Sequence, residues 1–505
     1  MNAIRKLAGH TVLYGLSSVV PKMINYLLVP FYTIVAFVPV QFGVVTEFYA
    51  YIPFLAILLT YGMETGFFRF SSSNNNFASG NSSVGRVFGT TFLSVLSTTI
   101  VFISLGILFS GRLADMLGYS EQSYYLRWSF LILGFDALTA IPFALLRQQG
   151  RPVKFAAYKI GGVLINIFFN VFFLWFCRNN AHLPLISWFY RPGWDVEYVF
   201  ISNLIASGAV FFVLIPLVLK QSLKFDFSLW KQIIMYSLPL MFAGFLGTIN
   251  EMIDRGLLKF MLPEFSNPLE QLGIYGANMR LAVLMTMFIQ MVRYAAEPFF
   301  FSRRDKKDEK QNMADVMKYF IIAGLFLFLG VMLYIDIVKR FIIGEKYWVG
   351  LSIVPIALLA NLFLGIYYNL SLWFKMNDKT YYGIITAGIG AVVTILINVA
   401  FIPVYGYMAS AWAHFFCYLI VVLVTYLLGS KYYPVPYDIK GIGIYFLLAL
   451  SIFFMSELVT FSSFILNFLK NTAFFAIFAV YTYKKEIRKQ LRITNYEGRI
   501  ENGKN

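Results

Sequence analysis

Three cations stand deep in stretches of this chain that are otherwise apolar. Lys22 lies mid-way along the first stretch with Asn25 one turn on, Lys159 lies early in the fifth, and Arg280 lies inside the eighth. An ionisable group at membrane depth is costly and normally meets a partner or a hydrated cavity. Several cations around one cavity suit an anion, and phosphate offers the most acceptor oxygens to such a set. Carboxylates occur at similar depth. Glu64 and Arg69 close the second stretch, Asp136 is mid-way in the fourth, and Asp254 ends the seventh. They are too scattered to read as a paired general acid and base, so no catalytic residue and no enzymatic activity are expected. The competing reading is mutual neutralisation: Lys22 or Lys159 with Asp136, and Arg69 with Glu64. Glu251 with Arg255, and Arg293 with Glu297, have the four-residue spacing of helical ion pairs and are expected to be structural. Cys177, Cys417, His10, His182 and His414 show no ligand-like spacing, so neither a disulfide nor a metal site is expected.

The elements that must position these groups are membrane helices. The 505 residues are 59% hydrophobic and 13% charged, against roughly 25% charged in a soluble domain. A helix crosses a bilayer with about 20 apolar residues. The apolar pattern predicts crossings over 9–35, 42–68, 87–110, 124–146, 155–177, 198–219, 232–254, 272–298, 317–337, 349–374, 380–402, 407–430, 441–460 and 463–483. The fold class is therefore all-α integral membrane, and too little chain remains for a separate catalytic domain. Lys470 makes the last pair the least regular. The first crossing contains Lys22 and lacks a small-residue cleavage site, which reads as a retained helix rather than a signal peptide.

Loop charges orient the chain. Arg5, Lys6, Arg86, Arg147, Arg151, Lys154, Lys220, Lys224, Lys231, the run Arg303 to Lys310 and the tail from Lys484 fall on one side. That side is expected to be cytoplasmic, with both termini on it. The net charge of +16 follows from this asymmetry and from attraction to anionic lipid. It does not imply nucleic-acid binding, for which no basic face stands apart from the membrane.

Lys220–Lys231 divides the chain after six crossings. Leu13-Tyr14-Gly15-Leu16 and Phe42-Gly43-Val44-Val45 in the first half echo Met235-Tyr236-Ser237-Leu238 and Leu272-Gly273-Ile274-Tyr275 in the second. The expected organisation is an N-terminal lobe (1–225), a C-terminal lobe (226–432), and two further helices with a basic tail (433–505). Internal repeats of this kind place a transport site at the repeat interface. Pro21, Pro30, Pro53, Pro142, Pro239 and Pro355 interrupt crossings, which a membrane tolerates where neighbours or water satisfy the freed carbonyls. The outer loop Trp188-Phe189-Tyr190-Arg191-Pro192-Gly193-Trp194 reads as an interfacial aromatic belt, with sugar stacking as the sharper alternative.

At this point the chain resembles a family. Tyr61-Gly62-Met63-Glu64-Thr65-Gly66-Phe67-Phe68-Arg69-Phe70, Ile253-Asp254-Arg255-Gly256-Leu257-Leu258, Leu272-Gly273-Ile274-Tyr275 and Ala296-Glu297-Pro298-Phe299 are similar to the bacterial Wzx-type polysaccharide flippases. These belong to the superfamily that also holds the MATE exporters and the lipid II flippase. The resemblance implies two six-helix lobes around a cavity and a place in the bacterial inner membrane. It implies translocation of an undecaprenyl-diphosphate-linked oligosaccharide to the periplasmic leaflet by alternating access, with a polymerase of the same pathway as a partner. Lys22, Asn25, Arg69, Lys159, Arg255 and Arg280 are then the expected substrate-binding residues. Glu64, Asp136, Asp254, Arg293 and Glu297 are the candidates for gating or for coupling to H+ or Na+, and no cofactor is expected. A lipid II flippase, a MATE-like cation or drug exporter and a membrane glycan polymerase are the alternatives.

Overall fold

The computed structural model describes residues 20–72, 81–301, 308–377 and 379–487. They are mostly helical, with short connections and no strand among the described residues. We number the membrane helices α1 (Val20–Ala36), α2 (Pro39–Thr60), α3 (Val84–Leu108), α4 (Ser120–Gln148), α5 (Pro152–Cys177), α6 (Val196–Leu219) and α7 (Phe227–Met261). There follow α8 (Pro268–Tyr294), α9 (Glu309–Leu333), α10 (Glu345–Met376), α11 (Tyr381–Tyr405), α12 (Tyr407–Tyr432), α13 (Ile439–Leu458) and α14 (Phe464–Glu486). All but α1 are long and apolar enough to span a bilayer by themselves. The part of the first crossing before Val20 lies outside the described residues, as do Arg5, Lys6, His10 and the charges from Arg303 to Lys307.

Three elements depart from the sequence expectation. The second crossing does not run to residue 68. Tyr61 and Gly62 adopt positive φ (30° and 74°), a conformation that terminates α2, and a separate helix, Met63–Ser72, carries Glu64 and Arg69. The seventh crossing does not end at 254. It continues to Met261, so Asp254, Arg255 and Lys259 are helical rather than in a loop. Pro355 does not break a helix. It sits in the first turn of Val354–Leu370, after a 3-10 segment, where a missing N–H costs nothing. Lys470 is accommodated near the outer end of α14 by donating to the Ser456 carbonyl (2.7 Å) and the Val459 carbonyl (2.5 Å), carbonyls that the end of α13 leaves without helical partners.

Helix α4 packs on α2, α3 and α6, and α6 packs on α5. In the second half α7 packs on α11, α11 on α12, α12 on α10, and α10 on α8 and α9, with α13 and α14 against α9. The halves meet chiefly where α2 crosses α8 and α7. At the α2–α8 crossing Gly43 and Gly273 face each other. A Cβ on Gly43 would overlap the Leu269 carbonyl, and one on Gly273 would overlap the Pro39 carbonyl. The two glycines belong to the echoed segments, so the echo marks the place where the halves touch backbone to backbone. The sides of the membrane are named below by the orientation expected from the loop charges; this crossing then lies near the outer surface.

The aromatic outer loop is largely folded inward. Tyr190 stacks on Tyr198, and Trp194 packs with Tyr124, Trp128 and Tyr198 under the Arg191 guanidinium. Trp188 stands out at 88% exposure. Trp188, with the partly exposed Phe189 beside it, is what the loop leaves free to act as an interfacial anchor.

Candidate functional site

Two cavities share Tyr49 of α2 in their walls, one enclosed by helices of the N-terminal half and one between the halves. The first, about 300 Å³, is lined by Lys22 and Asn25 of α1, Asp136 of α4, Lys159 and Asn166 of α5, and Asn203 and Ser207 of α6. The second, about 330 Å³, is lined by Glu251, Met252 and Arg255 of α7, Arg280 of α8, Asn361 of α10 and His414 of α12. Five of the six residues expected to bind substrate, Lys22, Asn25, Lys159, Arg255 and Arg280, therefore line these two adjoining cavities, from four helices that are distant in sequence. Arg69 does not. It lies over the Tyr236 ring, 4.5 Å from the centroid, and lines neither cavity.

The first wall is tied by amides. Asn170 donates to the Asn166 side chain at 3.0 Å and accepts from Tyr32 at 2.7 Å, and Asn203 donates to the Tyr49 hydroxyl at 2.9 Å. Asn25 is within 3.4 Å of Asn166, and Lys22 within 3.4 Å of Gln290. Tyr26 donates to the Arg280 carbonyl at 2.7 Å, which fixes α1 against α8. Such a wall presents donors and acceptors in set positions, as recognition of a polar headgroup requires.

The expected neutralising pairs are mostly replaced by others. Glu64 pairs with Arg147 of α4 and not with Arg69. Lys159 lies 4.2 Å from the Phe143 ring centroid and shares the cavity wall with Asp136, and neither Lys22 nor Lys159 forms an ion pair with Asp136 among the described residues. Arg255 does not bond the Glu251 carboxylate. Its guanidinium donates to the Glu251 backbone carbonyl at 2.6 Å and lies 3.3 Å from Asp254. Asp254 is fully buried and held from three sides, by Arg255, by the Tyr275 hydroxyl and by His414 at 3.5 Å. Glu251 is thereby left to face the cavity. The Arg293 guanidinium lies 4.9 Å from the Tyr368 ring centroid, while the Glu297 side chain lies outside the described residues. Of the groups turned into the cavities, Lys22, Lys159 and Arg280 stand against Asp136 and Glu251. The positive excess is small, because Arg255 is balanced by Asp254.

One cluster escaped the sequence reading. Glu47 of α2 is fully buried and accepts from Lys259 of α7 at 2.8 Å, from Tyr51 at 2.9 Å and from Tyr119 at 2.6 Å. Lys259 also donates to the Leu117 carbonyl at 2.6 Å and lies over the Tyr119 ring. Burial, and then the neighbouring Glu47 carboxylate, holds the Tyr119 phenol above its ordinary pKa, so it stays a donor. The signal was present in the sequence as an acid inside crossing two, but its partner was placed in a loop.

No protein-family model matches the sequence, and comparison with curated proteins finds no match. Solved structures do match. A lipid II flippase, MurJ, in an inward closed conformation superposes with TM-score 0.71 at 17% identity, over 94% of this chain and 100% of that one. An inward-facing multidrug-resistance MATE family transporter of the MOP superfamily gives 0.63 at 13%, over 83% and 94%. A MATE structure in complex with MaD3S gives 0.55 at 12%, over 84% and 95%. The chain has the all-helical membrane fold shared by these transporters.

Proposed function

We propose that this protein is a flippase that carries an undecaprenyl-diphosphate-linked oligosaccharide, the repeat unit of a surface polysaccharide, from the cytoplasmic to the periplasmic leaflet of a bacterial inner membrane. The observation that carries this reading is the placement of Lys22, Lys159 and Arg280 on the walls of two adjoining cavities, the first two within the N-terminal half and Arg280 at the junction of the halves. The cations take the diphosphate, and the amides and Tyr49 take sugar hydroxyls. The prenyl tail stays in lipid, so the protein needs a pocket and no bond-making group. Alternating access follows from rocking the halves, acting as two lobes, about the α2–α8 and α2–α7 contacts, which exposes the cavity to each side in turn. Of the carboxylates, Asp136 is the better candidate for coupling to H+ or Na+, because it faces the cavity while Asp254 is held by three partners and Glu64 by Arg147.

Deleting the gene and measuring lipid-linked intermediates by mass spectrometry, with leaflet accessibility, tests the proposal. The expected result is one undecaprenyl-diphosphate oligosaccharide on the cytoplasmic side and loss of a surface polymer, which a polymerase of the same pathway would otherwise assemble. No accumulation with surface glycan unchanged removes it. A second reading, a lipid II flippase, is favoured by the likeness to MurJ. Rescue of cells depleted of their own lipid II flippase would establish that reading instead.

A further inference from the structure

Topology keeps cations rare on the outer face, so outer cations that gather in one place need a cause beyond orientation. Arg178 at the end of α5, Arg340 at the end of the amphipathic helix Ile335–Ile342, and Lys346 at the start of α10 line one cavity of about 1090 Å³, with the single carboxylate Glu345 in the same wall. The first comes from the N-terminal half of the chain and the other two from the C-terminal half. Arg178 is set in place by the Ala36 carbonyl (3.1 Å) and Asp195 (3.5 Å). Arg340 and Lys346 form no ion pair among the described residues. Trp175 stands in the wall, 51% exposed, so one ring is free to be covered. Trp348, also in the wall, is held by donating to the Ile343 carbonyl at 3.2 Å.

The cavity lies directly over the outer contact between the halves. A Cβ on Gly344 would overlap the Thr33 carbonyl, and Tyr347 donates to the Phe37 carbonyl at 3.1 Å. Interfacial Trp, Arg and Lys that merely anchor helices point outward to lipid around a perimeter. Here they converge from both halves on one concavity at the mouth of the path.

We propose that this outer cavity binds an acidic saccharide. Sugar rings lie against Trp175, whose apolar face suits their C–H edges, and carboxylate or phosphate substituents sit among Arg178, Arg340 and Lys346. The inference rests on the glycan-flippase reading and deepens it by stating the cargo class: the oligosaccharide bears negative charge of its own, beyond the diphosphate. The site meets the sugar end as it emerges, while the diphosphate is still at the central cations.

The test uses the full-length protein in nanodiscs of neutral lipid, with oligogalacturonate and a neutral malto-oligosaccharide as probes, read by Trp fluorescence and by direct binding. Oligogalacturonate binds and is weakened by salt, and the neutral sugar does not bind. Arg340→Ala with Lys346→Ala weakens binding about tenfold, Trp175→Ala weakens it severalfold, and the charge-conserving Arg340→Lys with Lys346→Arg retains it, which controls for folding. Equal binding of both sugars, or alanine variants that bind as the parent does, overturns the proposal. So does loss of binding when phosphatidylglycerol is added, because the cavity is then a seat for a lipid headgroup. Transport of a lipid-linked glycan in liposomes is measured separately. Binding without transport removes the flippase reading alone, and transport without oligogalacturonate binding removes the outer site alone.

Discussion

Where α2 begins, Gly43 lies against the α8 backbone and Gly273 against the Pro39 carbonyl. Just past its end, Gly62 and Gly66 lie against Ser237 and Ile233 of α7. At the outer contact the obstacles to a side chain are carbonyl oxygens, which no rotamer change can move. At the inner contact Gly62 also meets a carbonyl, that of Ser237 at 2.8 Å, but an added Cβ on Gly66 would meet only side-chain atoms, the Ile233 Cγ2 at 2.6 Å and the Ser237 Oγ at 2.7 Å, which can turn away. The charges differ in the same sense. Glu47 and Lys259 are buried between the halves near the outer contact, whereas Arg147 and Glu64 near the inner one are half-exposed and lie within the same half. The outer contact is backbone on backbone with a buried ion pair, whereas the inner one is partly side chain and its ion pair is open to water. In an alternating-access cycle most of the free energy of gating therefore falls on opening the outer side.

The largest effect is expected from Gly273→Leu. Its side chain cannot fit against the Pro39 carbonyl, so the α2–α8 crossing must separate, at a cost above the usual 1–3 kcal/mol of overpacking. A cysteine at Ala277, buried one turn below, then becomes reactive to an impermeant maleimide from outside. An unchanged labelling rate would show that the outer contact is not rigid.

Lys259→Met comes next. It leaves the Glu47 carboxylate buried without its cation, which costs about 3–5 kcal/mol, read as a fall in the thermal unfolding midpoint. Adding Glu47→Gln should recover part of the loss, since a neutral amide still bonds Tyr51 and Tyr119. No recovery would mean that Lys259 acts through Leu117 alone.

How far these regions were legible in the sequence follows from the same contrast. The helices were readable because each carries an apolar run set by bilayer thickness, and the echoed Gly43 and Gly273 segments marked the outer contact without saying that they touch. Lys22, Lys159 and Arg280 were readable because a charge at membrane depth is conspicuous. Their surroundings were not. Which carboxylate meets which cation depends on helix rotation and end points, so the left-handed turn at Tyr61–Gly62 sent Glu64 to Arg147, and the extra two turns of α7 carried Asp254 to Tyr275 and Lys259 to Glu47. The outer cavity was invisible for the same reason: Arg178, Arg340 and Lys346 lie in different connections and meet only across the junction.

The smaller effects belong to the inner contact. Gly66→Ala should cost about 1 kcal/mol, because Ile233 and Ser237 can give way. Arg69→Ala should cost less, about 0.5–1 kcal/mol, since it removes one cation–π contact at a site open to water. Arg69 lines neither cavity, so its loss should leave binding of a lipid-linked glycan unchanged while raising maleimide labelling of a cysteine at Ser237 from the cytoplasmic side. Labelling from that side is the discriminating readout, because it separates a gating role from a binding role. If Arg69→Ala instead abolishes glycan binding with labelling unchanged, Arg69 reaches the cargo in another state of the cycle. If it destabilises the protein more than Lys259→Met does, the inner contact is the stronger of the two, and the order of gating is reversed.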